Sequence, residues 1–242
     1  MPEFVNQEFV DVTMRGVIFN RVTIHDSEVI DLDIHAEIGR LVVNGVEVGP
    51  LVEAELDRRY PDRPKMRPTT PDGFREAYDV VERLWAGTVE RARRLDPALL
   101  HESVDGEWSF IETLRHLSFA TDCWVRRAIL GDPSPWDPLD LPWDGMEDTP
   151  GVPRDRAARP SLDEALALRQ SRMATVREFV DGLDERTLAS ETRPVDGPGW
   201  PPARAFPVAE CLRVVLSEEW EHRLYAERDL AVLESRSKAE LV

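Results

Sequence analysis

Three residues in two separated stretches have the types and spacing that could do chemistry. His116 lies in WSFIETLRHLSFATDCW, and Glu218 and His222 lie four residues apart in SEEWEHRLYAERDL. Both stretches have the apolar spacing of amphipathic helices. Residues four apart on a helix sit one turn above each other on one face, so Glu218 and His222 can point at one atom, and a histidine from a facing helix can close a triangle. Two imidazoles and a carboxylate form a donor set for a divalent cation, zinc first and nickel or iron as alternatives. Three protein donors leave one position for water or substrate. An ion held in this way keeps a coordinated thiol as thiolate, or lowers the pKa of bound water to about 7. Residue types do not separate the two routes. Glu219, three residues before His222, lies near the same face and competes with Glu218 on spacing alone.

Several neighbours have simpler readings than a role in this chemistry. Cys123 falls one heptad after His116, but a cysteine inside an apolar helix is usually inert packing. Trp108 and Trp124 read as core aromatics. Asp122 is the kind of group that fixes a ligating ring, yet helix register turns it away from His116. Arg127, Arg223 and Arg228 lie at heights that suit the polar part of a small thiol, although arginines near helix ends more often serve solubility. His25, His35 and His101 stand outside both stretches and do not join the set.

The helices that must position the set are legible from caps and stripes. Thr70 followed by Pro71 suits an N-cap and a first helical position. Phe74, Tyr78, Val81, Leu84, Trp85 and Val89 then form one apolar stripe that ends before Pro97. Ser109 and Glu112 make a capping box that opens a second helix through Phe110, Leu114, Leu117, Thr121, Trp124 and Ala128, with Gly131 as its stop. Ser161 and Glu164 repeat the box for a third helix through Leu168, Val176, Phe179 and Leu183. Pro207 starts a fourth through Val208, Leu212, Val215, Glu219 and His222 to about Arg228. The proline-rich connection after Gly131 is long enough to be functional rather than a plain link, so Trp136 and Trp143 within it are expected to lid a pocket. A second Gly/Pro-rich loop, DGPGWPPARAFP, precedes the fourth helix. Four helices with two long connections predict an up-down four-helix bundle.

The first fifty residues follow another rule. Bulky apolar residues recur every fifth position at Phe4, Phe9, Met14, Phe19, Ile24, Val29 and Ile34, and smaller ones precede several of them by two at Val12, Val17, Val22 and Leu32. Neither helix nor strand has that period. The segment resembles the pentapeptide repeat, which implies a small β-helix with the large and small apolar residues inside and with His25 and His35 pointing out. Its seven repeats make under two coils, and a stack that short must lean on the bundle or on a second copy as a homodimer. Asn44-Gly45, between valine-rich runs, predicts a hairpin that ends the stack. PLVEAELDRRYPDRP reads as a short helix and linker.

Composition narrows the function classes. The chain has 242 residues and a formal charge of −17, which repels nucleic-acid phosphates and acidic membrane surfaces, so neither partner is expected. No apolar run approaches the roughly 20 residues of a membrane helix, and MPEFVNQEF lacks the regions of a signal peptide. A cytoplasmic protein with a small-molecule substrate is the expectation. Cys123 and Cys211 have no short-spaced partner, so both are expected to be reduced.

GEWSFIETLRHLSFATDCWVRRAILGDP together with EEWEHRLYAERDL resembles the DinB-like superfamily. That resemblance covers roughly residues 70 to 230 and implies a mainly α fold, a four-helix bundle with a metal held by a histidine of the second helix and two donors one turn apart on the last. Many members have two histidines on the last helix, whereas Glu218 stands first here. That departure is similar to the mycothiol-dependent maleylpyruvate isomerase branch and implies His116, Glu218 and His222 as the metal set. It also implies a metal-dependent thiol transferase or isomerase, with a low-molecular-weight thiol such as mycothiol, bacillithiol or glutathione as co-substrate. The expected organisation is a pentapeptide-repeat-like β segment over 1–50, a short helix and linker over 51–69, the bundle over 70–230 and a tail over 231–242. Two other functions remain open: a metallohydrolase on the same bundle, and a noncatalytic interaction module acting through the acidic repeat segment.

Overall fold

The computed structural model describes residues 4–14, 16–36 and 38–239. The chain divides into two units, one ending at Gly49 and one starting at Pro50. In the first, left-handed backbone recurs every fifth residue at Asn6, Asp11, Gly16, Arg21, Asp26 and Asp31. Asn, Asp and Gly tolerate that conformation best, so the period of five has a backbone cause, with Arg21 the exception. The expected β-helix is not formed. Among the described residues the only strands are β1 (Val42–Val43) and β2 (Val46–Glu47), an antiparallel pair. The centres that a closed coil would enclose are exposed, Phe4 at 77% and Phe19 at 67%. A solenoid coil is covered by the coils stacked on it, and under two coils provide no such cover. The hairpin itself has the expected turn, with Asn44 and Gly45 at φ of 49° and 82°, as a two-residue type I′ turn requires.

The boundary falls at the first residue of α1 (Gly49–Arg59), none of whose residues is buried. Arg63 holds it down through Glu53 at 2.8 Å and Asp57 at 2.7 Å. Side chains then cap the helices of the bundle where the sequence marks them. Thr70 Oγ1 accepts from Gly73 N at 3.1 Å to open α2 (Pro71–Ala92). Both expected capping boxes are present, Ser109 with Glu112 at α3 (Phe110–Thr121) and Ser161 with Glu164 at α4 (Leu162–Asp181). A short α5 (Glu185–Leu188) leads through the second long loop to α6 (Val208–Ala239). This last helix runs on past Arg228 to Ala239, taking in most of the segment expected as a tail. Leu230 and Leu233 are buried, so the apolar stripe continues and the helix continues with it.

α2 packs on α4 and α6, and α3 packs on the same two helices. Phe74, Tyr78 and Trp85 of α2 meet Leu114 and Leu117 of α3, Val176 of α4 and Leu212 and Leu216 of α6 in one core. The fold is mainly helical. α3 departs from expectation in two ways. It continues as a π-helix over Asp122–Ile129, with Leu130 N donating to Val125 O at 2.9 Å, before Gly131 at φ 79° stops it. It is also buried nearly all round, since only Glu112 keeps partial exposure between Phe110 and Thr121. The long connection covers its outer face. Arg115, fully buried, donates to Leu139 O at 2.7 Å and Asp155 O at 2.6 Å, and Trp136 and Trp143 pack on Phe119 with ring centroids 5.5 and 6.4 Å away. Carbonyls thus satisfy a guanidinium that helix periodicity alone would place in water. Among the described residues no helix is long and apolar enough to cross a membrane.

Candidate metal centre

α3 and α6 bring the three expected donors together. Glu218 Oε2 lies 3.0 Å from His222 Nε2 and 3.3 Å from His116 Nε2, and the donor atoms of all three lie within 4.8 Å of one another. Donors about 2.1 Å from one tetrahedral ion stand about 3.4 Å apart, so a shared ion needs little movement. Two imidazoles and a carboxylate are chemically suited to such an ion. His116 Nδ1 lies 3.0 Å from the carbonyl oxygen of Leu141. A carbonyl only accepts, so Nδ1 carries a hydrogen, and Nε2 is the nitrogen that faces Glu218 and would give up its own hydrogen to an ion.

Burial by itself raises the Glu218 carboxyl. The hydrogen bonds from His116 and His222, and the charge of those rings, outweigh it and hold the group well below the usual carboxylate range. A carboxylate is therefore ready to accept a cation. Glu218 and His222 are partly exposed while His116 is buried, so the set can be reached from one side.

Glu219 is turned away from this set. Its two oxygens accept from Arg169 Nη1 at 3.1 Å and Nη2 at 2.5 Å, both side chains are buried, and the guanidinium lies 4.6 Å over the Trp85 ring. The choice between the two glutamates, open on spacing, is thereby made by the bundle.

Trp108 is more than a core aromatic. Its ring is 4.4 Å from that of His116 and stacks on His222 at 5.6 Å and 11°, while Nε1 points to Asp144 Oδ1 at 3.4 Å. It is only half-buried and walls the site. Its sequence signal is its place just before the Ser109 cap, which sets it beside the first turn of α3. The Leu141 carbonyl has no such signal, because a backbone oxygen looks alike at every position. Trp124 is half-buried and packs against the core, edge-on to Phe206 at 5.4 Å.

The remaining candidates lie elsewhere. Cys123 is buried, and burial pushes its thiol well above the usual range, with the Asp122 and Glu218 carboxylates adding to the effect. Asp122 does not touch His116 by hydrogen bond; it pairs with Arg172 at 2.8 Å. Arg127 is buried and donates to Pro133 O at 2.6 Å and Gly197 O at 2.8 Å, so it ties the two long loops together rather than holding a thiol. Arg223 lies 3.7 Å from Glu227 and Arg228 lies 2.7 Å from Asp229. His25 and His35 are exposed in the first unit, and His101 ends a short turn before α3.

A four-helix bundle with two histidines and a glutamate between facing helices defines a class of candidate metalloproteins. The family model for the DinB superfamily matches residues 81–226, more than half of the chain and inclusive of all three donors, and the chain belongs to that superfamily. No curated protein and no solved structure matches it.

Proposed function

We propose that this chain is a divalent-metal-dependent enzyme that brings a low-molecular-weight thiol, of the mycothiol type, to a small electrophile, in thiol transfer or thiol-assisted isomerisation. The observation that carries the reading is the His116–Glu218–His222 cluster, with its donors within 4.8 Å. Zinc suits it first, then nickel or iron. When bound, such an ion supplies a charge that keeps a thiol deprotonated at neutral pH. The neutral imidazoles of His116 and His222 and the carboxylate of Glu218 would hold it, the Leu141 carbonyl fixes the His116 ring, and Trp108 shields one side from water. Cys123 offers no nucleophile, since it is buried with a raised thiol pKa, so the attacking group comes from outside the chain. The histidine, glutamate, histidine order, similar to the mycothiol-dependent isomerase branch, favours a thiol over water.

Metal content measured by inductively coupled plasma mass spectrometry on untagged protein, beside His116→Ala and His222→Ala, tests the site. Near-stoichiometric metal lost in both variants, with turnover only when thiol is added, is expected. Turnover without thiol would make the protein a metallohydrolase. Absence of bound metal after incubation with divalent ions would remove the reading.

The first unit favours a second role beside the first. Its apolar residues stand exposed at every fifth position, which supports an interaction segment that meets a second copy in a homodimer. Phe9→Asp with Phe19→Asp should then turn a dimer into a monomer in light scattering, with metal content unchanged.

A further inference from the structure

The carboxyl of Asp140 lies fully buried in the loop between α3 and α4, and the metal chemistry makes no use of it. Its Oδ2 accepts from Asp137 N at 2.9 Å, while Oδ1 is buried with no donor aimed at it. The side chain it meets is a second carboxyl. Asp122, at the start of the π-helical extension of α3, is also fully buried and faces Asp140 within interacting range. Two carboxyls so placed can bond only by sharing a proton. The surrounding charges decide who keeps it. Arg172 of α4 donates to Asp122 from Nε at 3.1 Å and from Nη2 at 2.8 Å, and Arg126 of the same extension adds a bond at 3.2 Å. Negative charge therefore stays on Asp122 and the proton on Asp140. Burial and the neighbouring Asp122 charge push the Asp140 carboxyl far above the usual carboxylate range. The other charged or titratable groups around it are the guanidinium of Arg115 of α3 and the thiol of Cys123.

Three consecutive loop residues are tied to one helix. Leu139 O accepts from Arg115 Nε at 2.7 Å, Asp140 faces Asp122, and Leu141 O accepts from His116 Nδ1 at 3.0 Å. Residues 139–141 thus form a strap along α3 and its extension, in a connection that has no helix or strand of its own. A carbonyl orients a ring only as well as its own backbone is held. We propose that Asp140 is a positioning residue for the metal centre, its bond to Asp122 anchoring the strap so that the Leu141 carbonyl fixes His116. This rests on the metal reading of His116, Glu218 and His222.

Zinc titrated calorimetrically into metal-free wild type, Asp140→Ala and Asp140→Asn tests the role. Asparagine keeps both bonds, its amide N–H donating to Asp122 and its carbonyl oxygen accepting from Asp137 N. The alanine variant should bind zinc about tenfold more weakly and the asparagine variant within about threefold of wild type, as for partners that orient a ligating ring. Nitrogen-15 spectra of the zinc-loaded histidines provide a second readout. His116 should carry its hydrogen on Nδ1 in wild type and Asp140→Asn, and show mixed tautomers in Asp140→Ala. Circular dichroism identifies a variant that has failed to fold, and the asparagine form then carries the comparison. Equal zinc affinity and one tautomer in all three proteins would overturn the positioning role while leaving the metal site standing. Weak binding by Asp140→Asn would overturn it too, by showing that the hydrogen bonds are not what matters. Absence of zinc binding by wild type would remove the metal reading and the inference with it.

Discussion

His116 donates from Nδ1 to the carbonyl oxygen of Leu141 at 3.0 Å, across 25 residues of chain. That bond leaves Nε2 as the metal-facing nitrogen, so a substitution matters here for the atom it removes. His116→Ala, His222→Ala and Glu218→Gln each delete or neutralise a donor and should weaken zinc binding by more than the roughly 10–100-fold typical of partners beyond the donors themselves. Leu141→Ala, which keeps the carbonyl, should change affinity little. Calorimetric titration of the four variants checks this, and tight binding by any of the first three would remove that residue from the set.

Glu219→Gln separates the two adjacent glutamates. Its carboxylate and Arg169 form a fully buried ion pair with side chains only 2% and 3% exposed, and removing one partner leaves the other charge buried without compensation. Stability should fall by about 3–5 kcal/mol in urea unfolding, while the folded variant still binds metal at wild-type stoichiometry. Lost metal without lost stability would reverse the roles assigned to Glu218 and Glu219.

The two cysteines, Cys123 and Cys211, are both buried, and burial pushes the Cys211 thiol up to about 12 and Cys123 well above the usual range. Reactivity follows the thiolate and its access. The native protein at neutral pH should therefore give no fast reaction with a disulfide reagent, and the protein in guanidinium should give two thiols. Cys123→Ser should keep its metal and any turnover. A fast-reacting native thiol would reopen Cys123 as a nucleophile.

Local signals in the sequence were enough to find the helix starts. Thr70-Pro71, Ser109 with Glu112 and Ser161 with Glu164 cap α2, α3 and α4 because capping chemistry involves residues within one turn. The i, i+4 pair of Glu218 and His222 was legible for the same reason. What escaped depends on distant chain. Burial of Arg115 needs the carbonyls of Leu139 and Asp155, the exclusion of Glu219 needs Arg169 fifty residues away, and the π-helix after Thr121 leaves no mark in the apolar period. In the first unit the period of five was visible and its backbone turns are present, but a period does not say whether enough coils exist to close a core.

Asp140 also makes a prediction about stability that needs no metal. In the unfolded chain its carboxyl ionises near the ordinary aspartate value of about 3.9, whereas burial and Asp122 keep it protonated far above that in the fold. Between the two values the folded chain binds one proton more than the unfolded chain, so unfolding releases a proton and rising pH weakens the fold. The slope from this one group is at most about 1.4 kcal/mol per pH unit. Asparagine has no such proton to release. Asp140→Asn should therefore gain stability relative to wild type as pH rises from about 5 to about 8, with the slopes of other distant groups cancelling in the difference. Urea midpoints of both proteins in the presence of chelator measure it directly. Parallel pH curves would mean that Asp140 is already ionised in the fold, and a shared proton could then not be what holds the strap to Asp122.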